Sequence, residues 1–226
     1  MATNSKRTRA IVLRRTNYGE ADRILKLLTP DGQISAMARG VRREKSKLAG
    51  GIELFAVSDM TLLHGKSDMA TLTSARLEQF FDHIIEDYDR LQFGYEAIKL
   101  VTRGSDSVDT SEWFSILESV FMGLDNKNVD QKLTETWFYL RYAELTGYGL
   151  SLERDIDGMK LSPEKRYYYD VAERGLRTSE NGEIHADHIK FLRLVAAKPL
   201  LTVAQIGGVE DILADCLLLA RQAAAI

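Results

Sequence analysis

The alternation of hydrophobic and polar positions changes rhythm once along the chain, close to Phe80. Before that point the apolar runs are short and punctuated by turn residues. Thr8 to Arg15 holds Ala10-Ile11-Val12-Leu13 between charged neighbours, and an unbroken run of that length predicts a strand buried on both faces. Asn17-Tyr18-Gly19-Glu20 follows as a turn or bulge. Arg23 to Thr29 is a second strand and Ile34 to Ala38 a third. Pro30-Asp31-Gly32 between them predicts a hairpin turn, because proline presets φ and glycine accepts a positive φ. Arg39 to Gly51 is then a polar loop. Ile52 to Leu63 and Met69 to Leu77 complete the set of strands, joined through Gly65-Lys66-Ser67-Asp68. Five short strands in about eighty residues suit a small closed or nearly closed barrel, of which the OB-fold is the commonest.

After Phe80 the period lengthens to three and four. Ile84, Tyr88, Leu91, Tyr95 and Ile98 form one such stripe, expected to be core. Gly104 to Asp109 breaks it, and Asp109 with Glu112 predicts a capping box for a helix through Trp113, Leu117, Val120 and Leu124. Another helix starts near Asn128, carries Leu133, Trp137 and Leu140, and ends at Gly147. Ser162-Pro163 reads as a helix start, which would put Tyr167-Tyr168-Tyr169 on a helix as packing residues or as an aromatic contact for a partner. Two more helices are expected, at about Ala186 to Ala197 and Val209 to Ala225. The fold class is therefore α+β and multidomain. A five-stranded OB-fold barrel over residues 1–80 is followed by an all-helical C-terminal domain over 81–226.

Charge sharpens that division. The net charge is −3, yet residues 1–80 contain 14 Lys/Arg against 8 Asp/Glu. The barrel is thus basic and the remainder acidic, which suggests two units with different partners. The one cysteine, Cys216, lies in an apolar run and is expected to be a small buried hydrophobe; a single thiol excludes an internal disulfide and a multi-thiolate zinc site. No run approaches the roughly 18 apolar residues of a membrane helix, and the polar N-terminus lacks the apolar stretch of a secretory signal, so a cytoplasmic location without membrane contact is expected.

The densest chemistry is the loop with Arg39, Arg42, Arg43, Lys45 and Lys47, interrupted only by Glu44. A phosphate backbone is held by several cations along one face, each releasing counterions. Composition alone fits a solvated basic loop equally well. Its place between strands three and four favours nucleic acid, because barrel loops frame the ligand groove. Arg7, Arg9, Arg14, Arg15, Arg23 and Lys26 lie near it in sequence. Stacking residues are few: Tyr18 is the better candidate, and Phe55 is expected in the core. Such binding would be mostly electrostatic and indifferent to base sequence.

Other constellations are weaker. His185 and His188 could share a helix face but are too few for a metal site, and are expected at an exposed helix start. Asp155 and Asp157 before Gly158 lack the later glutamate of a calcium loop. No nucleophile elbow or phosphate-binding glycine loop is present, so no enzymatic activity, catalytic residue or cofactor is expected.

Arg9-Ala10-Ile11-Val12-Leu13-Arg14, Tyr18-Gly19-Glu20-Ala21-Asp22-Arg23, Leu28-Thr29-Pro30-Asp31-Gly32 and Ala38-Arg39-Gly40-Val41-Arg42-Arg43-Glu44-Lys45-Ser46-Lys47-Leu48 together resemble the start of the RecO family of bacterial recombinational repair proteins. The helix ending Leu145-Thr146-Gly147-Tyr148 is similar to one in that family, whereas the four cysteines of a zinc site found next in many members are absent here. The resemblance implies an OB-fold with a helical domain that binds single- and double-stranded DNA and anneals strands. It implies work with a RecR-like protein and with single-strand-binding protein, and help for a recombinase to load at gaps in a RecF-type pathway. Carried over by position, the DNA-binding candidates are Arg39, Arg42, Arg43, Lys45 and Lys47, with Arg14 and Arg15 beside them. Two alternatives stand: an RNA-binding OB-fold, or an adaptor whose basic loop docks an acidic protein.

Overall fold

A computed structural model describes residues 4–65 and 68–224. Part of the expected turn at Gly65-Lys66-Ser67-Asp68, and Ala225 of the last expected helix, lie outside these residues. The chain divides into two compact units, Met1–Asp125 and Asn126–Ile226.

The first unit opens with five strands: β1 (Asn4–Tyr18), β2 (Asp22–Thr29), β3 (Gly32–Ala38), β4 (Ala56–His64) and β5 (Ala70–Phe80). They close into a barrel in the order β1-β2-β3-β5-β4, with β1 paired to both β2 and β4 and a short parallel pairing of β3 with β5. This is the expected OB-fold barrel. Its interior is filled by alternate residues of each strand, among them Ala10, Val12, Leu25, Leu27, Ala36, Met60 and Leu62. Ile11 and Leu28 pair on the opposite, outer face and are equally buried, so the Ala10–Leu13 run is covered on both sides as its pattern predicts.

Three helices complete this unit: α1 (His83–Glu86), α2 (Tyr88–Ser107) and α3 (Glu112–Asp125). Helix α2 packs on β1 and β3, and α3 on β2. The strand-to-helix change thus falls at Phe80, but these three helices belong with the barrel. Strand β4 starts at Ala56 rather than Ile52, because residues 49–51 form a 3-10 turn and Phe55 takes φ 54°, breaking extension. Phe55 is buried, as expected, edge-on to Phe121 at 5.5 Å between ring centroids. Gly94 makes that possible: a Cβ there would lie 2.8 Å from the Phe55 ring.

The α2 stripe is rotated from expectation. Tyr88 is 73% exposed and Tyr95 47%, and the buried face is Phe93, Gly94, Ala97, Ile98 and Val101. The expected spacing ran through Asp87, which instead caps a new helix by accepting from the Asp89 and Arg90 N–H groups. At α3 Thr110 replaces the expected Asp109 cap, its Oγ1 accepting from the Glu112 N–H at 3.3 Å.

The second unit contains α4 (Gln131–Leu145), α5 (Ala186–Ala197), α6 (Leu200–Val203) and α7 (Glu210–Ala224). Helix α4 is buried continuously from Leu133 to Leu140, so it is the centre around which α5 and α7 pack. The helical reading of this half needs one correction. No helix starts at Pro163; β6 (Tyr167–Asp170) and β7 (Gly175–Thr178) form a hairpin there. The tyrosines therefore alternate by the strand period, Tyr167 being fully buried and Tyr168 42% exposed. Three adjacent aromatics fit a strand better than a helix, and that preference was the available signal. Among the described residues no helix is long and apolar enough to cross a membrane.

Candidate nucleic-acid interface

Most of the barrel's described cations separate into two groups by what they touch; Arg76, exposed on β5 opposite Asp59, stands outside both. Along the first half of β1 they are neutralised. Lys6 pairs with Asp31 at 2.9 Å. Arg7 donates to both Asp59 carboxylate oxygens, which raises its own pKa and lowers that of Asp59. Arg9 reaches Glu78 at 2.9 Å and also Glu118, and those bonds raise its pKa further. Lys26 is taken by Asp106 at 3.0 Å. A cation held by a carboxylate adds little net charge to its part of the surface.

The second half of β1 differs because of a bulge. Val12 pairs with Leu27 and Arg14 with Lys26, which leaves Leu13 without an opposite residue and reverses the faces that follow. Arg15 then falls opposite Leu25, an interior residue, and its guanidinium reaches Glu53 at 2.7 Å. Arg14 falls on the outer face with Thr16 and Tyr18, where it is exposed and has no carboxylate partner among the described residues.

Residues 39–48 bring five more cations to the same end of the barrel. Arg39, Arg42, Arg43, Lys45 and Lys47 are all exposed, and none makes an ion pair among the described residues. The loop is nevertheless ordered. The Arg42 N–H donates to the Ala21 carbonyl at 2.9 Å, and Arg42 Nη1 to the Gly19 carbonyl at 3.2 Å. The Gly40 N–H donates to Asp22 Oδ1 at 2.6 Å. Within the loop, Arg43 N–H bonds to the Gly40 carbonyl and Ser46 N–H to that of Arg43. Val41 and Ile52 are buried in the barrel core and anchor the loop from within. The loop therefore lies along the β1–β2 turn, whose flank carries Tyr18, 55% exposed. Of the candidate set, Arg14 and the five loop cations have no carboxylate partner among the described residues, although Arg42 donates to a carbonyl, and Arg15 is engaged by Glu53. Arg23, at this same end, donates to Asn17 Oδ1 at 3.1 Å.

The other constellations are occupied by structure. Asp155 Oδ1 accepts from the Asp157 and Met159 N–H groups, closing a turn around Gly158. His185 caps α5, accepting from the Asp187 N–H. His188 is not exposed as expected but 2% accessible, with Nδ1 accepting from the His185 N–H at 3.3 Å and Nε2 3.4 Å from Asp215. Asp82, His83 and Asp125 could bring ligand atoms together, but Asp125 already accepts from the His83 N–H and its carbonyl lies 2.9 Å from His83 Nδ1. Burial raises the Cys216 thiol to about 12, an inert group.

Residues 1–81 match the family model described as the recombination protein O N-terminal domain. A DNA repair protein RecO of Dehalococcoides mccartyi is 30% identical over 217 residues, spanning 92% of this chain and 85% of that protein. The RecO of Rubrobacter xylanophilus is 29% identical over 216 residues, covering 92% and 87% of the two chains. That of Roseiflexus sp. is 35% identical over 143 residues, 63% of this chain and 50% of that one. The similarity to the first of these runs through both compact units, well beyond the barrel, and the chain belongs to the RecO family.

Proposed function

We propose that this chain binds single-stranded DNA at the barrel end formed by residues 39–48 and the β1–β2 turn, and acts as a mediator in DNA repair and recombination. One observation carries the reading: the cations at that end, Arg14, Arg39, Arg42, Arg43, Lys45 and Lys47, are exposed and lack carboxylate partners, while those nearer the start of β1 are neutralised. Free cations are what phosphate contact requires, since a paired one must first give up its carboxylate. Tyr18 supplies a face on which one base can stack. Neutralising the phosphates of two strands at one surface lowers their repulsion and promotes annealing. Double-stranded DNA meets the same cations without the stacking contact.

The second unit, in this reading, engages protein partners. The family's names support repair and recombination in general, and a RecR-like protein and single-strand-binding protein are the partners we propose, with recombinase loading at gaps as the outcome. We assign no residue to bond making or breaking, and place the protein in the cytoplasm.

The test is fluorescence anisotropy of a labelled oligonucleotide, as matched DNA and RNA, titrated across salt. Tight DNA binding with a steep negative salt dependence supports the proposal. Preference for RNA moves it to the RNA-binding alternative, and no binding at low salt leaves the adaptor.

A further inference from the structure

The basic loop enters through a residue that belongs to another element. Gly40 takes φ 62°, a conformation that side-chain-bearing residues rarely adopt, and this turn presents its N–H to Asp22 Oδ1 at 2.6 Å. Gly40 also accepts from the Arg43 N–H at 3.1 Å, so it connects the carboxylate to the rest of the loop. Asp22 is the first residue of β2 and pairs with Tyr18 across the β1–β2 hairpin. One carboxylate thus joins the strand that carries Tyr18 to the loop that carries the free cations.

A negative charge is poorly suited to a surface that holds phosphate, so its presence here has a positional reason. We infer that Asp22 is a positioning residue for nucleic-acid binding: it clamps Gly40 and thereby fixes Arg39, Arg42 and Arg43 against the β1–β2 turn. The inference rests on the proposed reading of this barrel end. Position and charge act in opposite directions. The hydrogen bond orders the cations before they meet phosphate, which reduces the ordering cost of binding. The charge repels the same phosphates. An amide keeps the acceptor and removes the charge; a methyl removes both.

Two variants, D22N and D22A, separate the contributions in the 226-residue chain. The first readout is anisotropy with a labelled oligo-dT strand. The second is the rate of trypsin cleavage after Arg39, Arg42, Arg43, Lys45 and Lys47 without DNA. D22A is expected to weaken binding about fivefold or more, as losing a hydrogen bond to a charged group should, and to speed loop cleavage. D22N is expected to bind at least as tightly as wild type and to be cleaved at its rate. Should D22A lose its thermal transition, D22V carries the same arm, since its β-branched side chain suits a strand and offers Gly40 no acceptor. Unchanged cleavage in D22A overturns the clamp. So does tighter binding by both variants, which would make Asp22 only a repelling charge. A wild-type chain that holds no oligonucleotide refutes the barrel-end reading itself, a failure seen on the binding axis alone.

Discussion

Changing Arg42, Arg43 and Lys45 together to alanine should change how salt affects binding more than any other property of the protein. Six exposed cations at the barrel end lack carboxylate partners among the described residues, the half-buried Arg23 being held by Asn17. Each phosphate neutralised on a single strand contributes about −0.7 to the slope of log affinity against log salt. If all six engage, the slope is about −4, and affinity falls by about 300-fold between 50 and 200 mM salt. The triple variant keeps Arg14, Arg39 and Lys47, so its slope halves to about −2 and its loss over that range shrinks to about 20-fold. These side chains are exposed and carry little of the core, so the melting temperature should stay within about 2 °C of wild type. R7A is the control, because Arg7 is already held by Asp59. It should leave the slope unchanged. Anisotropy titrations at four or five salt concentrations read all three proteins. A triple variant with the wild-type slope, or an R7A variant that flattens it equally, would refute the sorting of paired from free cations.

Three further outcomes test the structure elsewhere. A Cβ on Gly51 would lie 2.6 Å from the Ala75 backbone, so G51A should cost about 1–3 kcal/mol in urea unfolding, as overpacking does; a neutral result would mean that the loop does not close against β5 as described. Cys216 should resist a thiol reagent at pH 8 and react once guanidinium unfolds the chain, since burial holds its pKa near about 12; labelling of the native protein would contradict this. Burial, then the neighbouring His185, lowers the pKa of His188 below the usual histidine range. Its neutral form is therefore favoured by folding. That contribution is complete above the unfolded value, about 6.5, and is lost as pH falls from there towards the folded value. The melting temperature should drop between pH 7.5 and 5.5, and H188Q should flatten that drop.

Local pattern determined much of this protein. The five strands, the hairpin at Pro30-Asp31-Gly32 and the helices around Trp113, Trp137 and Leu192 follow from period and turn chemistry, which act over a few residues. The basic loop, too, was legible as a run of cations. Where two local signals competed, pattern misled: Pro163 suggested a helix start, but Tyr167-Tyr168-Tyr169 pair with β7. Asp87 is a similar case, because it caps a new helix, so Ile84 and Tyr88 do not share one helical face and Tyr88 is exposed while Ile84 is buried.

What tertiary structure alone decided is which charges are free. Arg7, Arg9 and Lys26 look in sequence like Arg14 and Arg43, yet their carboxylates come from residues 52, 69, 109 and 80 positions away. The single-residue bulge at Leu13 decides that Arg14 faces solvent while Arg15 meets Glu53. The clamp from Asp22 to Gly40 spans 18 positions and exists only because the barrel brings the start of β2 beside the end of β3. Strand period and turn preference are properties of neighbours along the chain, whereas ion pairing depends on distance in space. The first can be read before folding, and the second exists only once the barrel has closed.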